Sequence, residues 1–388
     1  MPWRNMSTQQ QKYDFIKIYQ KQTYTFKTIC NSFGISRKTG YKWLSRFYAS
    51  GLAGLDDMSK APKHVHNKTP PEIEQVIVSL KKAHPGWGAR KLRAIMTRSE
   101  VYQKLPTDSG FHQILVRNRL TRPRKRQRKV AAYTQPFTGC NAPNDVWCAD
   151  FKGQFRTANG KYCYPLTVTD AFSRYILCCK ALDGTRLVHT MHAFESLFLL
   201  NGLPKAIRTD NGVPFASHGV GGLTKLSAWW VRQGIIHERI KPGNPQENGR
   251  HERMHKTLKA EATIPAKANL SSQQVEFDRF VHEFNHVRPH EALGMLSPAS
   301  VYKPSDKVYL DCGRMSYAKD IMTRNIRTNG CLKWKCLEVF ISELLIGDTV
   351  GLVPSPDSKI PEFDVYYAWI KIGRLEGEPL RFIGVRNV

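Results

Sequence analysis

Between Asn144 and Ala262 the apolar pattern switches repeatedly between a period of two and a period near 3.6, and few folds satisfy such a run. "DVWCADFKGQF" alternates apolar and polar residues, and "KYCYPLTVTDAFSRYILCCKAL" reads as two strands joined by a turn at Asp170–Arg174. "TRLVHTMHAFESLFLLNG" is an amphipathic helix that stops at Gly202. "PKAIRTDNG" is a short apolar strand ending in an Asn-Gly turn, and "KLSAWWVRQGIIHERI" is a helix followed by a strand. "QENGRHERMHKTLKAEA" is a long helix reached through a Gly/Pro loop. The predicted order is β-β-β-α-β-α-β-α, a mixed α/β layer.

The flanks have a different texture. "KYDFIKIYQ" places Phe15, Ile16 and Tyr19 on one helical face. "TFKTICNSFGISRKTGYKWLSRFY" reads as helix, tight turn, helix. Ile29 and Phe33 form the first apolar face, Gly34 the turn and Ser36 the N-cap; Tyr41, Leu44 and Phe47 or Tyr48 form the second face. This predicts a helix-turn-helix domain over 8–58, with Arg37, Lys38, Thr39 and Lys42 exposed as candidate DNA contacts. Any αα-hairpin would show the same spacing; the local Arg and Lys favour DNA. Residues 69–121 predict a second helix-turn-helix-like domain. Ile73, Val76, Ile77 and Leu80 form one face, "GWGARKLRAIM" is a short helix, and a third helix is capped at Thr107 or Ser109. "TRPRKRQRKV" carries six Lys or Arg in ten residues and opens a basic linker over 122–135. Such a run is a solvated segment that can track phosphates through Arg124, Lys125 and Arg126; a nuclear localisation signal is the competing motif. After Ser300, short alternating segments with Gly and Asn turns predict a small β-rich domain over 303–388.

Charge is distributed unevenly. Of a net +27, residues 1–130 hold 27 Lys and Arg against 7 acids, 131–302 hold 19 against 14, and 303–388 hold 13 against 11. A basic front third suits a polyanion partner. Nine scattered cysteines form no paired spacing, which fits a reducing compartment; Cys331 and Cys336 lack a second metal-type pair, and Cys178 and Cys179 read as buried thiols. The polar opening and the lack of a long apolar run lead us to expect an intracellular protein.

Three acids fall where such a sheet collects its site. Asp150 lies on or at the end of the first core strand, Asp210 at the carboxyl end of the strand after the first long helix, and Glu247 and Glu252 near the start of the later helix. Clustered carboxylates repel unless protons or cations sit between them, and hard oxygen donors suit Mg²⁺ or Mn²⁺. The residues alone leave Glu247 and Glu252 both open as the third acid. Lys256 and Lys259, at i+4 and i+7 from Glu252, share its face and could hold phosphate. A surface Glu–Lys pair would look the same.

"WCADFKG", "TVTDAFSRY", "RTDNGVPF", "NPQENGRHERMHKTLK" and "FNHVRPHEALGMLSPASVY" resemble bacterial insertion-sequence transposases with a retroviral-integrase-type core. The resemblance covers about residues 136–302, and the front end is similar too. It implies a multidomain chain: all-α helix-turn-helix N-terminal domains, an α/β RNase H-like catalytic core over 136–302, and a small β-rich C-terminal domain. It implies catalytic and metal-binding Asp150, Asp210 and Glu252 holding two Mg²⁺ (or Mn²⁺) ions, with Asn248 near the DNA. It also implies double-stranded DNA as partner, a homo-oligomer on transposon ends, and a cytoplasmic, nucleoid-associated bacterial location. The family's glutamate follows the Asn-Gly pair by three positions, which selects Glu252 over Glu247. Two departures stand out. The 41 residues between Asp210 and Glu252 exceed the retroviral spacing, and residues 1–120 hold no His-His-Cys-Cys zinc pattern. The alternative function is a catalytically inactive, element-derived, sequence-specific DNA-binding protein. Other polar and aromatic residues have structural readings: Asp170 as turn chemistry, Asp145 as a cap on the strand, Trp147, Trp229 and Trp230 as core, His290 as packing, and Asn211-Gly212 as the turn presenting Asp210.

Overall fold

A computed structural model describes residues 7–58, 69–102, 104–121, 139–217, 219–241, 248–310, 313–355 and 362–385. The chain divides into two compact units, Met1–Pro70 and Pro71–Val388.

The first unit holds α1 (Thr8–Gln20), α2 (Phe26–Ser32) and α3 (Arg37–Ser50). Each opens on a hydroxyl cap: Ser7, Thr25 and Ser36 accept from the backbone N–H of Gln10, Thr28 and Thr39. Gly34, at φ +62°, makes the turn between α2 and α3. Phe15, Ile16, Ile29, Cys30, Leu44 and Leu55 form the core. The apolar face of α3 differs from expectation. Tyr41 and Tyr48 are 58% and 66% exposed, while Gly40 is buried beside Leu44. A Cβ on Gly40 would lie 2.8 Å from Phe26 Cζ and 2.9 Å from Cys30 Sγ, so α3 crosses α2 closely because this residue has no side chain. Tyr41 instead lays its ring over Phe26, centroids 4.2 Å apart.

The second unit begins with α4 (Pro71–Ala83), α5 (Ala89–Arg98) and α6 (Asp108–Arg117), packed around Ile77, Trp87, Leu92, Met96, Phe111, Ile114 and Leu115. Thr107, rather than Ser109, caps α6. These helices are tied to later residues: His84 Nδ1 lies 2.8 Å from Glu283 Oε1, and the Arg98 guanidinium donates to the Met295 carbonyl.

The central layer is a sheet of β1 (Val146–Phe151), β3 (Tyr162–Asp170), β4 (Ile176–Leu182), β5 (Ala206–Thr209) and β6 (Ile236–Arg239), with the two-residue β2 (Phe155–Arg156) against the start of β3. Its order is β4-β3-β1-β5-β6; β1 pairs antiparallel with β3 and parallel with β5. Pleating splits the residues between two faces. Trp147, Ala149, Leu166, Val168 and Ile207 face α7 (Leu187–Asn201) and α8 (Lys225–Arg232), meeting Phe194, Phe198 and Trp230. On the opposite face, Cys163, Ile176 and Cys179 pack with Met254 and Leu258 of α9 (Gly249–Ala262) and Phe277 and Phe280 of α10 (Leu270–His282). Edge strand β4 is covered by side-chain amides: Gln274 and Asn285 both give and take hydrogen bonds with its backbone. This is the RNase H-like arrangement.

Beyond it, β7 (Met322–Asn325), β10 (Thr349–Pro354), β11 (Phe363–Tyr367), β12 (Ile370–Glu376) and β13 (Arg381–Gly384) form an antiparallel sheet, and β8 (Cys331–Trp334) pairs with β9 (Leu337–Phe340). Its core is continuous with Leu223, Ala228 and Val231 around α8, and Tyr367 donates to Asp348 at 3.0 Å. The C-terminal region is thus β-rich, as expected. No helix among the described residues is long and apolar enough to cross a membrane.

Candidate active site

Register brings the two aspartates together. Ala149 on β1 lies opposite Thr209 on β5, so Asp150 on β1 and Asp210, one residue past β5, follow side by side where the two parallel strands run about 4.8 Å apart. Asp150 belongs to the β1 face that meets α9 and is paired with Thr167 of β3. Asp210 stands just past β5, where Gly212 N–H donates to its Oδ1 at 3.1 Å. Asn211 Nδ2 donates to the Ile240 carbonyl at 2.9 Å and ties this turn to the end of β6. Glu252 sits exposed in the first turn of α9.

The electrostatics reflect that convergence. Burial raises the Asp150 carboxyl first, the Asp210 carboxylate raises it further, and Glu252 adds to the same effect. The Phe151 N–H and Lys152 oppose them, and the result is a carboxyl pushed up to about 7. A carboxyl in this setting favours a neighbouring positive charge.

Beneath Asp150, histidines of α9 meet threonines of β3. Thr167 Oγ1 lies 3.0 Å from the Asp150 carbonyl oxygen, 2.8 Å from His251 Nε2 and 2.7 Å from His255 Nε2. Thr169 Oγ1 lies 2.8 Å from His251 Nδ1. The same device recurs on β5: the Thr209 hydroxyl donates to the Asp210 carbonyl at 2.9 Å and lies 2.9 Å from His237 Nε2. Burial holds His255 down to about 3, His237 down to about 4, and His251 well below its ordinary value, so all three imidazoles are neutral. Asp150, His251 and His255 each offer a ligand atom, all within 4.8 Å of one another. Sequence alone does not single out these residues. Their one sequence signal is a Thr-x-Thr pair on one strand face and an i,i+4 histidine pair on one helix face, which acquire meaning only once the two faces meet.

The other sequence candidates are dispersed. Arg37, Lys38 and Lys42 are exposed on α3, whereas Thr39 is half-buried with its hydroxyl 2.9 Å from Ser36 Oγ, part of the helix cap rather than a free contact. Lys256 and Lys259 are exposed along α9 on the side of Glu252. Asn248, expected near DNA, is 4% exposed, and its Oδ1 has no hydrogen-bond partner among the described residues. Arg124, Lys125, Arg126 and Glu247 lie outside the described residues. Asp170 is fully buried; its Oδ2 accepts from Ser173 N–H and Oγ, and its Oδ1 from Asn144 N–H, which is turn chemistry. Asp145 Oδ2 accepts from the N–H groups of Asn141 and Ala142 ahead of β1. Trp147, Trp229 and Trp230 are core residues, and burial holds the His290 imidazole down to about 3. The described cysteines are free thiols; Cys179 is buried as expected, whereas Cys178 is only half-buried.

Comparison with known proteins agrees with the architecture. Residues 141–245 and 233–298 match integrase core domain families, 11–63 a helix-turn-helix domain and 39–115 a homeodomain-like domain. An uncharacterized 39.2 kDa protein of insertion element IS476 from Xanthomonas euvesicatoria is 27% identical over 68% of this chain and 74% of its own length. An uncharacterized 31.7 kDa protein of insertion element IS407 from Burkholderia multivorans is 25% identical over 66% of this chain and 90% of its own. The catalytic core of HTLV-2 integrase, solved with magnesium, aligns at 17% identity and a TM-score of 0.33 over 42% of this chain and 98% of its own. Integrase core domains behind helix-turn-helix domains, together with similarity to proteins borne on insertion elements, support a bacterial insertion-sequence transposase with an integrase core.

Proposed function

We propose that this protein is a DDE transposase that binds the terminal inverted repeats of its element, cuts a DNA strand to free a 3′-OH, and joins that hydroxyl to target DNA. Asp150, Asp210 and Glu252 are the catalytic carboxylates, and the same three hold two Mg²⁺ (or Mn²⁺) ions. The observation that carries this reading is that Asp150 and Asp210 follow paired residues of neighbouring strands, with the Asp150 carboxyl pushed up to about 7 by burial, then by Asp210 and by Glu252. An all-oxygen set of this charge fits hard divalent cations. When bound, such cations activate the attacking oxygen and stabilise the leaving one.

The chain's own residues do the positioning. Strands β1 and β5 fix the two aspartates at strand spacing, and the Gly212 N–H orients Asp210. Lys256 and Lys259 hold the phosphate backbone alongside Glu252. In the front unit, α3 enters the major groove and Arg37, Lys38 and Lys42 contact the DNA, while Arg124, Lys125 and Arg126 of the linker track phosphates. In the first reaction a phosphodiester is hydrolysed and a 3′-OH leaves; in the second that hydroxyl displaces a target 3′-oxygen. Neither reaction passes through a covalent protein–DNA link. Two ends must be held at once, so the protein acts as a homo-oligomer on DNA; sedimentation showing only one chain per unpaired end would contradict this.

Labelled oligonucleotides from the element's flanks, incubated with protein and Mg²⁺, test the reading. Nicked and joined products are expected. Tight, sequence-specific binding without any cutting would favour the inactive DNA-binding alternative, which the complete set of carboxylates speaks against.

A further inference from the structure

The hydroxyl of Thr167 has one proton and three close polar neighbours, and the way they must share it exposes a free nitrogen beside Asp150. A backbone carbonyl only accepts, so the Thr167 proton goes to the Asp150 oxygen 3.0 Å away. The contacts at 2.8 Å and 2.7 Å must then be donated by His251 Nε2 and His255 Nε2. That fixes both tautomers. His251 is fully used, because its Nδ1 accepts from the Thr169 hydroxyl at 2.8 Å. His255 is not. With its proton on Nε2, Nδ1 carries a bare lone pair, and no hydrogen bond reaches it among the described residues. Asp150 Oδ2 stands 3.7 Å from it, too far for a hydrogen bond, and the His255 side chain is only 10% exposed.

We propose that His255 Nδ1 is a ligand, beside the Asp150 carboxylate, of the divalent cation taken by the proposed active site, and that this nitrogen favours Mn²⁺ and related transition ions over Mg²⁺. The inference rests on the metal-dependent reading above and adds a donor to it. Two metal–ligand bonds of about 2.1 Å span at most about 4.2 Å, so the 3.7 Å between Nδ1 and Oδ2 lets both atoms reach one ion. Metal-bound histidines characteristically donate their other ring N–H to a neighbour that sets the tautomer and ring angle, and Thr167 is in that position here. Imidazole is a softer donor than carboxylate and discriminates against Mg²⁺. His251 braces α9 against β3 and supplies no ligand, although it belongs to the same cluster.

The test is pulsed EPR on the full-length protein loaded with Mn²⁺, unlabelled and with [15N]histidine. The expected result is a directly bound 14N coupling that converts to 15N on labelling. The substitution His255→Gln keeps an N–H able to reach Thr167 but removes the ring nitrogen. It should abolish the coupling and weaken Mn²⁺ binding about tenfold while Mg²⁺ binding changes much less. Mn²⁺ that binds, is lost in Asp150→Asn, and shows no histidine nitrogen would overturn the role of His255 and leave the carboxylate site standing. Mn²⁺ binding that Asp150→Asn leaves untouched, or no binding at all, would overturn the site itself. The nitrogen coupling itself is read on the unsubstituted protein, so its presence or absence does not depend on the folding of any variant.

Discussion

His290 illustrates how this chain uses histidine. Burial, with Lys91 and Arg288 nearby, holds its imidazole down to about 3, against about 6.5 in an unfolded chain. Between those values the unfolded chain binds the extra proton, so stability from this group is complete above about pH 6.5 and is lost as pH falls towards 3. By pH 5 the loss is about 2 kcal/mol. Substituting His290→Gln should therefore narrow the difference in melting temperature between pH 7.5 and pH 5; an unchanged difference would show that the ring is not buried neutral. Asp150 has the opposite character, a carboxyl whose charge the fold disfavours. Asp150→Asn is expected to leave the metal-free protein at least as stable as before while removing strand cleavage, as calorimetry and a cleavage assay on one preparation would show. The acids were legible in the sequence because strand ends in α/β sheets collect them. The histidines were not, because an i,i+4 histidine pair on a helix carries no sign of facing a Thr-x-Thr strand until register puts it there.

At the scale of elements, periodicity carried most of the fold. The switch from period two to period 3.6 set the strands and helices of the core in their order, and hydroxyl caps at Ser36 and Thr107 marked helix starts where the structure has them. The face of α3 was harder to read, because the buried position is Gly40, which has no apolar side chain to count, while Tyr41 looks like core and is exposed. Gly40→Val should push Phe26 and Cys30 apart and cost about 1–3 kcal/mol in the first unit. A drop in helix-turn-helix melting with the second unit unaffected is the expected calorimetric signature. On the exposed side of α3, Lys42→Ala is expected to weaken DNA binding and lower the salt slope by about one, measured by titration at several salt concentrations. No change in slope would remove Lys42 from the phosphate contacts.

For the whole molecule, the uneven charge fits the proposed division of labour. The basic excess lies in the first 130 residues, whereas the proposed catalytic acids lie in the less charged core that follows. Because the units each have their own core, a chain lacking residues 1–70 should fold and still bind Mn²⁺, yet lose selective binding of element ends; unfolding of that fragment would contradict the division. The most direct test of the central claim is a cleavage and strand-transfer assay on flanking oligonucleotides with Mg²⁺ or Mn²⁺, comparing the unsubstituted protein with Asp150→Asn, Asp210→Asn, Glu252→Gln and Glu247→Gln. Activity lost in the first three variants and kept in Glu247→Gln is the expected result. Cutting and joining retained by Asp150→Asn, or lost in Glu247→Gln instead of Glu252→Gln, would contradict it.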